Sequence, residues 1–163
     1  MKKHNNRQSG RSMIEMVGVL AVAGLLTAGA FVLVKSGMAS QKRNRAADEI
    51  STLVQGVSAL TAAQGGYSVL RWFDDSSVPE KKVANDYVTA YDLARMVLKT
   101  NGTTPLGDDS YYAVSTARGK LIVWLIGIES EECEAMAVRT YSDGTATCST
   151  ISNKKVLKIT YSK

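Results

Sequence analysis

Residues 16–34 of the chain read MVGVLAVAGLLTAGAFVLV, and this apolar stretch decides the fold. Of its 19 residues, 15 are apolar, three are Gly and one is Thr, and none is charged. At ~1.5 Å per residue, a helix of this length measures about 28 Å, which matches the roughly 30 Å hydrocarbon core of a bilayer. The rest of the 163-residue chain is too polar to surround such a helix. We therefore expect the helix to contact lipid or other copies of itself.

The charge distribution and the side-chain inventory exclude several functions. Residues 1–43 carry seven basic residues against one acid, whereas the remaining residues carry 13 basic and 14 acidic ones, so the main body does not call for a nucleic-acid partner. The only histidine, His4, argues against Ser-His-Asp triads and His-based zinc sites. The pairs Asp74-Asp75 and Asp108-Asp109 lie in loops, where adjacent aspartates form turns more often than they bind Ca²⁺. We expect no enzyme, no cofactor and no metal.

The apolar stretch has three competing interpretations. A secretory signal peptide fits the basic start and the small residues Ala28-Gly29-Ala30, which match the A-x-A cleavage pattern. Two features argue against a signal peptide. The charged Glu15 directly precedes the apolar stretch, and the stretch continues beyond Ala30 to Val34. A single-span anchor accounts for the length but not for the residues that precede it. The third interpretation begins with those residues.

A glycine and a glutamate precede the apolar stretch at a defined spacing. Residues 10–20 read GRSMIEMVGVL, in which Gly10 ends a short leader with three basic residues and is followed by four residues and Glu15. This pattern resembles the processing and assembly signature of type IV pilins and pseudopilins. The resemblance is specific over roughly residues 9–33 and architectural beyond them.

The resemblance implies how the chain would be processed and assembled. A prepilin peptidase would cut between Gly10 and Arg11, and the new amino group of Arg11 would be the site of N-methylation. Assembly machinery would then extract the subunit from the inner membrane, where its N-terminus faces the cytoplasm, into a cell-surface helical homopolymer. Arg11 differs from the apolar residue usual at this position, and the family's frequent Pro in the span is missing. Within the same resemblance, the alternative role is that of a type II secretion pseudopilin.

Glu15 itself has two interpretations. The simpler one is that it snorkels to the membrane interface, with an i to i+4 pair to Arg11. The other is that it pairs with the new α-ammonium of a neighbouring subunit. Among packed apolar helices an unpaired carboxylate is far more costly than a paired one, so Glu15 would then favour docking in register.

The helical pattern continues beyond the apolar stretch. Residues 35–65 contain no Pro and have apolar residues at three- and four-residue steps, and Gly65-Gly66 provides a stop. We therefore predict one helix over roughly residues 12–64. Along the chain, residues 11–34 form the membrane and assembly segment. The amphipathic continuation over residues 35–65 packs on a head formed by residues 66–163.

The head is predicted to hold short helices and an antiparallel sheet. A helix begins near Thr89 as its cap, and a second one covers residues 129–139. Four strands are predicted over residues 111–115, 121–128, 145–151 and 156–161. The fold class is thus α+β: a long N-terminal α-helix packed on a small antiparallel β-sheet, as in pilins.

Cys133 and Cys148 are the only two cysteines. In an exported domain a disulfide between them is favoured, and closing that loop contributes about 3 kcal/mol in the chain-entropy model. Two free buried thiols would instead require a cytosolic domain. In the pilin family the C-terminal disulfide loop is often exposed on the filament and mediates subunit contacts or adhesion.

The second function that the sequence allows is a secreted binding or adhesion domain, released by cleavage after Ala30.

Overall fold

The computed structural model describes residues 9–63, 65–67, 90–117 and 119–162. Most of the predicted leader, the cap Thr89 and the pair Asp74-Asp75 lie outside these residues. The chain divides into two compact units, of which the first ends at Gln41 and the second is Lys42–Lys163.

The first element is the long helix α1, Ser9–Ala62, which confirms the predicted single helix. It ends two residues earlier than expected. Gly65 has a φ of +93°, which an L side chain rarely adopts, and the Gly66 N–H donates to the Thr61 carbonyl oxygen at 2.8 Å. This is the Schellman arrangement that terminates helices.

In the part of the head that the structure describes, one four-stranded sheet is accompanied by two short helices. In chain order these are α2 Ala90–Leu98, β1 Tyr111–Ala117, β2 Lys120–Ile126, α3 Ser130–Ala137, β3 Gly144–Ile151 and β4 Lys154–Tyr161. The strand order is β1-β2-β4-β3, and all neighbouring strands are antiparallel. The predicted α+β fold is therefore confirmed.

The hairpin between β3 and β4 is tighter than the sequence suggested, because β4 begins at Lys154 and not at residue 156. Ser152 and Asn153 both have positive φ values, 50° and 62°. Positive φ at both central residues is typical of a type I′ turn, whose twist matches that of the flanking strands.

The second half of α1 packs on the sheet through the apolar residues that recur at three- and four-residue steps. Ala46, Ile50, Leu53 and Val57 are at most 1% exposed, and they belong to the same core cluster as the buried residues of β1, β2 and β4. Helix α2 approaches α1 closely at Gly56. A Cβ at this position would collide with the side chain of Val97, so the absence of a side chain allows the approach.

Trp124, on β2, lies in the core. Its side chain is fully buried, and its indole N–H donates to the Ser115 hydroxyl at 2.7 Å. The bond satisfies the one polar atom of the ring, so that the full apolar area of the indole stabilises the sheet without an orphaned donor.

Candidate functional site

The apolar segment of α1 is exposed on every side. Its large apolar side chains between Met13 and Val34 are 58% to 78% exposed. Among the described residues, α1 is the one helix long and apolar enough to cross a membrane, and none of its most apolar part is buried. A soluble monomer rarely exposes so large an apolar surface. The segment could therefore be a membrane span, and it needs lipid or protein around it.

Glu15 shares one face of this segment with small and apolar residues. A shallow groove along the helix is lined by residues at three- and four-residue steps: Glu15, Gly18, Val19, Val22, Ala23 and Leu26. Space around Gly18 is open, since a Cβ there would meet nothing within 4 Å. In the described part of the chain, no hydrogen bond or ion pair engages the Glu15 carboxylate. The groove thus combines close backbone access with one unpaired negative charge.

Thr27 differs from Glu15 because its own helix satisfies it. Its hydroxyl donates to the carbonyl oxygens of Ala23 and Gly24, both at 3.0 Å. A hydroxyl bonded in this way can lie in an apolar environment at little cost. Glu15 is therefore the polar group in the apolar segment that still requires a partner.

The processing residues and the cysteines occupy separate parts of the fold. Gly10 and Arg11 lie in the first turn of α1. Cys133 of α3 and Cys148 of β3 form a disulfide with a Cα–Cα distance of 5.7 Å, as predicted. The disulfide fixes α3 to the edge of the sheet and closes a loop of the length expected to stabilise the head.

An ion pair that no sequence pattern indicated also holds α3 to α1. Arg43 donates from Nε and Nη2 to the two carboxylate oxygens of Glu132, at 2.6 and 3.1 Å. The hydrogen bond to Glu132 raises the pKa of Arg43 above its usual value. Glu132 precedes Cys133, so the ion pair and the disulfide together anchor α3. The paired geometry is the strong, bidentate kind.

Three tyrosines of the head are held in their neutral form. Tyr112 is fully buried and donates to the Glu49 carboxylate at 2.8 Å, and burial, with Glu49, raises its pKa. Tyr141 donates to the Met136 carbonyl oxygen at 3.2 Å, and burial raises its pKa to about 12. Burial likewise raises the pKa of Tyr161 to about 12.

These shifts predict alkaline sensitivity of the head. Unfolded tyrosines ionise near pH 10, whereas Tyr141 and Tyr161 ionise near 12 in the folded state. Because the pKa values are raised on folding, their contribution to stability is fully present below about pH 10 and is lost as the pH rises from about 10 to about 12. We expect the urea midpoint of the detergent-solubilised chain to fall across this window and tyrosinate absorbance to rise with unfolding. Tyr141→Phe should weaken the dependence, and a midpoint independent of pH would contradict this assignment.

The described residues contain no group of three or more His, Cys, Asp or Glu side chains arranged to hold a metal ion. Asp108 and Asp109 lie in a turn. The hydroxyl of the next residue, Ser110, donates to the Gly107 carbonyl oxygen. This local bond is typical of a turn.

Comparison of the chain with protein-family models, with curated proteins and with solved structures gives no match in any of the three.

Proposed function

We propose that the chain is a structural subunit of a type IV pilus-like filament. The single observation that carries this proposal is the exposed apolar segment of α1 with the unpaired Glu15 on one of its faces. The segment is inserted in the membrane first. It then moves into the core of a helical stack, where identical helices replace lipid around it.

The chemistry of the Gly10–Arg11 junction supplies the partner of Glu15 in this scheme. Cleavage by a prepilin peptidase creates an α-ammonium group on Arg11, four residues from Glu15. That ammonium pairs with Glu15 of a neighbouring subunit. An unpaired carboxylate in the apolar stack would carry a desolvation cost of several kcal/mol, on the order of the penalty for breaking a buried ion pair. Assembly out of register is therefore disfavoured.

The head supports the same proposal. Its disulfide is of the kind that forms and persists in an oxidising compartment outside the cytoplasm. The N-terminus would then face the cytoplasm and the head the exterior. The proposed partners are other copies of the chain, the peptidase and the assembly machinery, and the subunit itself catalyses nothing.

The alternative is a secreted binding domain released after Ala30. The compactness of the Lys42–Lys163 unit favours it, because that unit would survive the cleavage intact. The two functions differ in the state of the mature product: a filament subunit keeps the apolar segment, whereas a secreted domain loses it.

Fractionation of producing cells tests the proposal. Filaments sheared from the cell surface should contain this chain, and gold-labelled antibodies against the head should decorate them along their length in electron micrographs. Recovery of the chain only as a monomer in the culture medium would instead establish the secreted domain. Recovery only in the membrane, in cells that carry filaments, would leave a simple anchor.

A further inference from the structure

Strand β3 is the last strand of the sheet, and within the described residues no other strand pairs with its outer edge. At the opposite edge, β1 is covered where the Tyr112 N–H donates to the Gly102 carbonyl oxygen at 2.8 Å and Thr103 forms a bridge with Tyr111. β3 reads GTATCSTI, without a charge or a proline, and pairs with β4 without interruption over all eight of its residues. Long edges without charge, proline or bulge are templates for pairing with another strand.

The hairpin turn determines which backbone groups of β3 face outward. A two-residue turn at Ser152-Asn153 makes Ile151 and Lys154 a hydrogen-bonded pair. Because such pairs alternate along an antiparallel ladder, Ala146, Cys148 and Thr150 direct their N–H and C=O groups away from β4. In the described part of the chain, the outward-facing Gly144 N–H bonds to the Tyr141 carbonyl oxygen, and those of Ala146, Cys148 and Thr150 have no protein partner.

The exposed face of β3 is lined by hydroxyl groups. Thr145, Thr147 and Ser149 alternate along the strand and are all exposed. On the other face, Ala146 and Cys148 pack against the core. The edge therefore offers free backbone donors and acceptors beside a neutral, hydroxyl-bearing surface.

We propose that the β3 edge docks the β3 edge of a second copy of this chain, antiparallel and centred on Thr147. In this register Ala146 of one copy pairs with Cys148 of the other through their outward backbone groups. On the exposed face Thr147 lies opposite Thr147 and Thr145 lies opposite Ser149, so each hydroxyl meets another hydroxyl. Threonine and serine pairs of this kind stabilise antiparallel strands, and no like charges face each other. Self-pairing is thus complementary in both backbone and side chains.

The symmetry of this contact determines which copies it joins. Pairing of identical edges is two-fold symmetric, whereas neighbours in a polar helical stack are related head to tail. If the chain forms the proposed filament, the β3 contact therefore links subunits of two different filaments. This consequence rests on the proposed function, but the contact itself requires only the head.

Site-specific cross-linking of the full chain in detergent tests the register. In Thr147→Cys, the new thiols of two copies would lie directly opposite each other in a non-hydrogen-bonded pair, within reach of a disulfide. Thr145→Cys is the matched control, because its thiols would lie four residues apart along the paired strands. We expect at least about tenfold more linked dimer from Thr147→Cys than from Thr145→Cys on geometric grounds. An equimolar mixture of Thr145→Cys and Ser149→Cys should cross-link as well.

Peptide mapping by mass spectrometry must locate the link and show that Cys133–Cys148 is intact. Equal yields from Thr147→Cys and its control, or cross-linking in intact cells to a different protein in place of a second copy, would overturn the proposal.

A second test adds Thr147→Lys to both members of the mixed pair, placing two ammonium groups opposite each other. Cross-linking should then be lost, whereas Ser142→Lys in the preceding turn should leave it unchanged. If filaments form but the β3 link is not found, only this proposal is contradicted. If the β3 link is found but no filaments form, only the filament function is contradicted.

Discussion

Glu15→Ala should abolish filaments while leaving the subunit in the membrane. Removing the carboxylate leaves the α-ammonium of a neighbouring subunit unpaired among apolar helices, which costs about 3 kcal/mol or more per contact and weakens each contact about a hundredfold. Membrane insertion should persist, since the change removes a charge from the apolar segment. Surface filaments are counted by electron microscopy, and insertion is measured by alkaline extraction of the membranes.

Two further variants separate charge from bulk. Glu15→Gln keeps the size of the side chain and should fail as Glu15→Ala does. Thr27→Val removes the other polar side chain of the segment, whose hydroxyl bonds only to Ala23 and Gly24 of its own helix, and should assemble normally. Normal filaments from Glu15→Gln would show that the charge has no role in assembly.

Loss of the disulfide should destabilise the head by about 3 kcal/mol, the chain-entropy value for a loop of this length. In the variant carrying both Cys133→Ser and Cys148→Ser, α3 would be held to the rest of the head by the Arg43–Glu132 ion pair and its packing. We expect the free energy of unfolding, measured by urea titration of the detergent-solubilised chain, to fall by that amount.

A reductant supplies the control for this variant. Treating the wild-type chain with it should reproduce the loss, and treating the double variant should change nothing further. Thr150→Ala, an exposed change on the same strand as Cys148, should leave the urea midpoint in place. A wild-type midpoint insensitive to reductant would show that the disulfide does not stabilise the head.

Local patterns predicted the main elements of this fold. The end of α1 followed from Gly65-Gly66, and the buried face of its second half followed from apolar residues such as Ile50 and Leu53. The β3–β4 hairpin was less visible, because Ser152-Asn153 lacks the glycine that usually marks a type I′ turn.

Contacts between distant residues could not be predicted in the same way. Arg43 and Glu132 are 89 residues apart in sequence, and Tyr112 and Glu49 are 63 apart. In a single sequence these polar residues resemble any solvent-exposed residues, since only the packing of α1 against the head brings them together. The candidate site differs from these contacts, because Gly10 and Glu15 could be identified from their spacing in the sequence. What the sequence of one chain could not provide is the partner proposed for Glu15, which belongs to another molecule.

The intact mass of the chain from the filament or membrane fraction tests most directly whether the apolar segment is retained for assembly. We predict a chain that begins at Arg11, with or without one added methyl group, and that contains the oxidised Cys133–Cys148 pair. A water-soluble chain that begins at Phe31 would contradict the filament function, and a chain that retains Met1 would contradict the processing step.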